Sequence, residues 1–181
     1  YQEAGMKKII IWEIIGAVCI AAFGALLHFA YEYSGYNIWV GLFAPINESV
    51  WEHLKLLYFP SVLVVGMEYL FWGRKIAGYL YAKAKGILLG LALMVVFFYT
   101  YVGILGEHYL WMDIVSFLAA IAMQTFTVIY RMKRRYTISW PCLAGTWLAL
   151  AALAALFCWF PLSPPQIGIF ADPAKTQWTS S

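Results

Sequence analysis

Between Asn47 and Lys55 the chain places Asn47, Glu48, Ser49, Glu52, His53 and Lys55 within nine residues, inside the stretch Phe43-Ala-Pro-Ile-Asn-Glu-Ser-Val-Trp-Glu-His-Leu-Lys-Leu-Leu-Tyr-Phe-Pro60. Two carboxylates, an imidazole and an ammonium at this density are equipped for cation binding, for proton transfer, or for activating water on a bound metal. The run opens directly into an apolar segment, Leu56 to Trp72, in a chain that is 64% hydrophobic and only 12% charged. Ionisable groups at membrane depth are expensive and by default mark a functional site.

If a helix reaches back to residue 48, then Glu48, Glu52, Lys55 and Phe59 share one stripe. If Ser49 is the cap, Glu48 sits just outside the helix but close to that stripe. Ser49-Val-Trp-Glu52 also matches a capping box, which gives Glu52 a purely structural reading. His53 points about a third of a turn away, towards a neighbouring helix, and His28 lies at the same depth at the end of the preceding apolar segment. Two histidines and two carboxylates match the ligand set of zinc or another first-row divalent metal. His28, Glu48, Glu52 and His53 are therefore the candidate metal ligands, although no HExxH-like spacing accompanies them. Glu48 or Glu52 is the candidate catalytic base, and Asn47, Trp51, Lys55 and Asp113 complete the candidate ligand-binding set. The bland alternative for the same residues is interfacial hydrogen bonding and helix capping. A helix N-terminus at Asn47–Ser49 suits an anion, but Glu48 and Glu52 favour a cation or a neutral polar ligand.

Apolar segments long enough to cross a bilayer must position these groups. The sequence predicts an all-α polytopic membrane protein with five spans, at about residues 9–30, 49–72, 86–105, 113–130 and 140–160. Ile38 to Phe43 is too short to span and is predicted to lie at the interface or re-enter it before span two. Ala17, Ala21, Ala25 and Gly24 form a small-residue stripe that permits close helix packing, as does Gly86-xxx-Gly90 in span three. Pro60 removes a backbone donor within span two and should bend it, turning the carbonyl of Leu56 towards a neighbour. Asp113 is placed to cap span four, and Pro141 suits the first turn of span five. Residues 6–163 form one membrane domain, 164–181 a polar tail, and Tyr1 to Gly5, ahead of Met6, read as an appended remnant.

Lys7, Lys8, Arg74, Lys75, Lys83, Lys85, Arg131, Lys133, Arg134 and Arg135 all fall on one side of this five-span arrangement, against Lys55 and Lys175 on the other. The positive-inside rule then puts the N-terminus in the cytoplasm and the C-terminus outside. The basic runs do this topological work and argue against a nucleic-acid partner, since they alternate with hydrophobic spans. All three histidines gather on the outer face with Glu32, Asn47, Glu48, Glu52, Glu107, Asp113 and Asp172. Glu13 and Glu68 lie near the inner ends of their spans, where pairing with nearby basic groups is favoured over a cation or proton route. Cys19, Cys142 and Cys158 are too scattered for a disulfide framework or a shared metal site. No Gly-rich phosphate loop, Cys pair or Ser-His-Asp order is present.

Three segments, His28-Phe-Ala-Tyr-Glu-Tyr-Ser-Gly-Tyr-Asn37, Phe43 to His53 with Lys55, and Pro164-Pro-Gln-Ile-Gly-Ile-Phe-Ala-Asp-Pro173, resemble a family of small bacterial integral membrane proteins of unknown function. The resemblance covers nearly the whole chain. It implies a multi-pass protein of a bacterial cytoplasmic membrane and carries no activity with it. Where that family ends with a Gly-containing stretch near a Tyr, this chain has Ala174-Lys-Thr-Gln-Trp178. Three functional readings stand. The first is a membrane hydrolase or transferase acting on a lipid-linked or extracytoplasmic substrate through a metal such as zinc. The second is a transporter or substrate-binding subunit for a cation or cationic solute. The third is a non-catalytic assembly factor.

Overall fold

The computed structural model describes residues 2–134 and 138–172, and side chains from Met6 onward. Arg135, Lys175 and the tail from Pro173 lie outside the described residues, so their assignments to one or the other face are untouched by it. The described chain is helical without strands: α1 (Gln2–Tyr33), α2 (Ile38–Gly41), α3 (Val50–Phe71), α4 (Tyr79–Leu105), α5 (Leu110–Arg134) and α6 (Trp140–Trp159). Five of these, α1 and α3 to α6, are long and apolar enough to cross a membrane. The four-residue α2 is the short segment ahead of span two, and Asn37 caps it by accepting from the Trp39 amide at 3.0 Å.

The most buried helix is α3: 56% of its most apolar window is enclosed, against at most 33% in any other span. It packs on α1, α4 and α5 and reaches α6 through Tyr58, whose hydroxyl donates to the Leu150 carbonyl at 2.8 Å. Ser61 donates to Gln124 Oε1 at 2.9 Å and ties α3 to α5. Both small-residue stripes are contact faces. A Cβ on Gly86 or Gly90 would lie 3.0 Å from the Gln124 or Ala120 carbonyl oxygen, which sets how closely α4 and α5 approach. A Cβ on Gly24 would come within 2.8 Å of the Leu56 carbonyl oxygen and 2.6 Å of Phe117 Cζ. Pro60 lies inside an uninterrupted α3, so the Leu56 carbonyl that lacks its helical donor faces Gly24 of α1.

Four boundaries differ from the hydropathy reading. α1 already runs from Gln2, ahead of the first apolar residue, through the stretch read as an appended remnant. α4 starts at Tyr79, seven residues before Gly86, and takes Lys83 and Lys85 into the helix. Lys83 is not a loop cation: it is 2% exposed and paired with Glu13 and Glu68. Those two carboxylates thus have the structural partner expected of them. α5 begins at Leu110, so Asp113 sits in the first turn instead of capping it. Its far end runs past Tyr130 to Arg134, since the guanidiniums of Arg131 and Arg134 lie over the Tyr81 and Tyr130 rings at 5.0 and 4.8 Å.

Candidate functional site

The loop between α2 and α3 is built by side chains that satisfy its backbone. Asn47 Oδ1 accepts from the Ser49 amide at 2.9 Å, and Ser49 Oγ caps α3 by accepting from the Glu52 amide at 3.3 Å. The reciprocal half of a capping box is missing. Glu52 Oε2 instead reaches past Ser49 to the Ile46 amide at 3.0 Å and takes Lys55 Nζ at 2.7 Å. Lys55, fully buried, also donates to the carbonyls of Gly41 at 3.0 Å and Ala44 at 3.5 Å. The expected stripe of Glu48, Glu52 and Lys55 therefore divides. Glu52 and Lys55 clamp the loop from beneath, and Glu48 is left at its edge.

Beside Glu48, His53 Nε2 lies 3.3 Å from Glu48 Oε2, and His53 Nδ1 lies 3.0 Å from the Ser49 carbonyl oxygen. That carbonyl can only accept, so Nδ1 carries a hydrogen. A neutral His53 then turns the bare lone pair of Nε2 towards a carboxylate. Two acceptors in that position need a cation between them, either a proton on Nε2 or a metal. A ring nitrogen donating to a backbone carbonyl is also the usual outer support of a metal-bound histidine. From α1, His28 brings its ring to 5.5 Å from that of His53, and its buried Nδ1 has no hydrogen-bond partner. One nitrogen from each histidine and one oxygen of Glu48 all lie within 4.8 Å of one another. The His53 imidazole holds the Glu48 carboxyl below the usual carboxylate range. Partial burial works the other way, and His28 and His108 add to the lowering.

These groups sit on the wall of a cavity of about 500 Å³ between α1, α3, α4 and α5. The rest of its lining is largely apolar, with Gly24, Leu56, Met94, Phe98 and Phe117 among it. Asp113 faces the same cavity from the first turn of α5. Its Oδ1 accepts from the Tyr101 hydroxyl at 2.8 Å, and its Oδ2 pairs with His108 Nε2.

Of the residues singled out in the sequence, His28, Glu48, His53 and Asp113 thus meet one cavity. Asn47, Trp51, Glu52 and Lys55 do not line it. Glu52 does not join the histidines, because Lys55 and the Ile46 amide engage the same oxygen, Oε2, on the loop side. Trp51 packs with Phe157, Phe160 and Phe170, at ring distances of 4.8, 5.2 and 5.1 Å. It anchors the 3-10 turn at Gly168–Phe170 to the start of α3. Tyr101 was not singled out, and His108 was counted with the outer-face histidines but given no site role, since Gly106 to Tyr109 reads as a tight turn. The available signal was the His108–Asp113 spacing across that turn, which lets one helix-end carboxylate receive both.

No curated protein and no solved structure matches the chain. The model of the family of unknown function DUF6512 matches residues 2–179. The chain belongs to that family.

Proposed function

We propose that His28, Glu48 and His53 bind one divalent first-row metal, zinc being the natural choice. In this reading the adjoining cavity holds the hydrocarbon part of a lipid-linked substrate undergoing metal-assisted hydrolysis or group transfer. The observation that carries it is His53: its Nδ1 is committed to the Ser49 carbonyl, so Nε2 faces Glu48 and His28 as a donor of electrons. Two histidines and one glutamate leave a fourth position open, the arrangement of catalytic zinc sites. Ligands at zinc distances sit roughly 3.5 Å apart, so loading would need only a small inward shift of atoms that already lie within 4.8 Å of one another. The metal would supply Lewis acidity and an acidified water. Glu48 serves as ligand, and the base is Asp113 on the facing wall, oriented by Tyr101 and His108. The basic residues on the opposite side of the spans support a site at the extracytoplasmic face of a cell membrane, with the N-terminus in the cytoplasm.

The test is metal analysis of protein purified without chelator, followed by zinc titration of apo protein. One equivalent bound by the wild type, lost in both Glu48→Gln and His28→Ala, is the expected result. Binding that survives both substitutions removes the proposal. Stoichiometric binding accompanied by cation flux in liposomes would redirect it to transport.

A further inference from the structure

At the other end of the helices from the cavity, a second polar cluster is enclosed where α1, α3 and α4 meet. Lys83 Nζ lies 2.7 Å from Glu13 Oε1, 2.8 Å from Glu13 Oε2 and 2.6 Å from Glu68 Oε2. The Tyr79 hydroxyl donates to the same Glu68 oxygen at 2.6 Å. Exposure is 1% for Tyr79, 2% for Lys83, 3% for Glu13 and 7% for Glu68, so none of the four is solvated. Trp72 closes the cluster, edge-on to Tyr79 at 5.1 Å and stacked on Trp12 at 6.5 Å, and Tyr69 stacks on Tyr79 at 6.4 Å.

The charges do not balance. Two carboxylates surround one ammonium, and among the described residues no second cation reaches them. The titratable groups facing one another are Glu13 from α1, Glu68 and Tyr69 from α3, and Tyr79 and Lys83 from α4. A surplus negative charge in such an enclosure is unfavourable, because burial removes water without supplying a partner. Two carboxylate oxygens also lack a hydrogen bond: Glu13 Oε1, which has only the ion-pair approach of Lys83, and Glu68 Oε1. Glu68 Oε2 receives both Lys83 and Tyr79, whereas Glu68 Oε1 has no hydrogen-bond partner. Oε1 rests against the bare face of Gly16, where a Cβ would lie 2.8 Å away. The site is close-packed and has the dimensions of a proton, not of a hydrated ion.

We propose that the Glu13–Lys83–Glu68 cluster is a binding site for one exchangeable proton, shared by its two carboxylates in addition to the proton on Lys83. On uptake a water-borne proton forms an O–H bond to a carboxylate oxygen, water is released and the cluster becomes neutral. On release the proton returns to water and one negative charge reappears between α1, α3 and α4. This site is independent of the metal reading, since it shares no residue with the cavity.

The experiment is infrared spectroscopy of the full chain in lipid at neutral pH, following the C=O stretch of protonated carboxyl groups and its shift in D2O. The wild type should show a protonated carboxyl. Both Glu13→Gln and Glu68→Gln should lose it, because either change leaves one carboxylate opposite Lys83 as a neutral pair. A band that persists in either variant means an ordinary buried acid elsewhere and overturns the proposal, as does its absence from the wild type. If a Gln variant does not fold, Glu13→Asp and Glu68→Asp, which keep a carboxyl at each position, decide. A band that shifts in frequency in both Asp variants supports the site, and a band unchanged in both overturns it.

Discussion

His53 touches Glu48 with one ring nitrogen, at 3.3 Å, and the Ser49 carbonyl with the other, at 3.0 Å. The helix cap and the candidate metal site are therefore one structure. Ser49 supplies the cap through its hydroxyl, and its carbonyl fixes which nitrogen of His53 is free.

Replacing Glu48 by Gln keeps the cap, since Ser49 Oγ and Asn47 Oδ1 are untouched. Zinc affinity should fall by at least tenfold to a hundredfold, the loss associated even with outer-sphere changes at such sites, while the helical circular-dichroism signal is unchanged. Equilibrium dialysis against a competing chelator measures it.

The pH dependence of Glu48 has a definite sign. Its folded-state pKa is lowered, chiefly by the His53 imidazole, so its stabilisation is present above the unfolded value of about 4.3. That contribution fades as pH drops through the lower folded value. That lowering needs a hydrogen on His53 Nε2, so the Tm difference between wild type and Glu48→Gln, measured in apo protein, should be largest while Glu48 is ionised and His53 protonated, and should shrink both under more acid conditions and as rising pH deprotonates His53. A difference already gone on acidification to about pH 5, above the unfolded carboxylate value, would contradict the direction of the shift.

Lys55 is buried with Glu52 and holds two loop carbonyls. Lys55→Met strands a buried carboxylate, which should cost about 3–5 kcal/mol. Lys55→Met combined with Glu52→Gln should recover part of that loss. Detergent-solubilised unfolding of the two variants checks the order, and a single variant as stable as wild type would show that the clamp does not matter.

Topology is read by cysteine labelling at two exposed positions, Glu107 in the α4–α5 turn and Lys133 near the end of α5. An impermeant reagent applied outside should reach position 107 and not 133. The reverse pattern would invert the protein and move the cavity mouth to the cytoplasm.

Five spans were legible because twenty apolar residues leave few alternatives in a bilayer. Helix boundaries were not, and Lys83 explains one of them. Its charge argues for a loop, but Glu13 and Glu68 arrive from distant helices and let α4 extend back to Tyr79. The site was legible in part for a similar reason. Depth alone paired His28 with His53, whereas helical spacing put Glu48 on a stripe with Glu52 and Lys55, and the structure divides that stripe and leaves Glu48 with the histidines. Periodicity could not reveal that the Ile46 amide and Lys55 would claim Glu52, because that depends on how a non-helical loop folds over the helix start. His108 and Tyr101 converge on Asp113 through the same kind of local turn geometry.

Lys55 has a mechanical consequence. Its ammonium grips Gly41 and Ala44 while its stem belongs to α3, so the short helix α2 and its following loop cannot lift like a hinged cover without unburying a charge. The loop and α3 travel together. On the cavity wall, by contrast, Phe117 of α5 meets the bare face of Gly24 of α1, a contact of hydrocarbon packing that involves no buried charge.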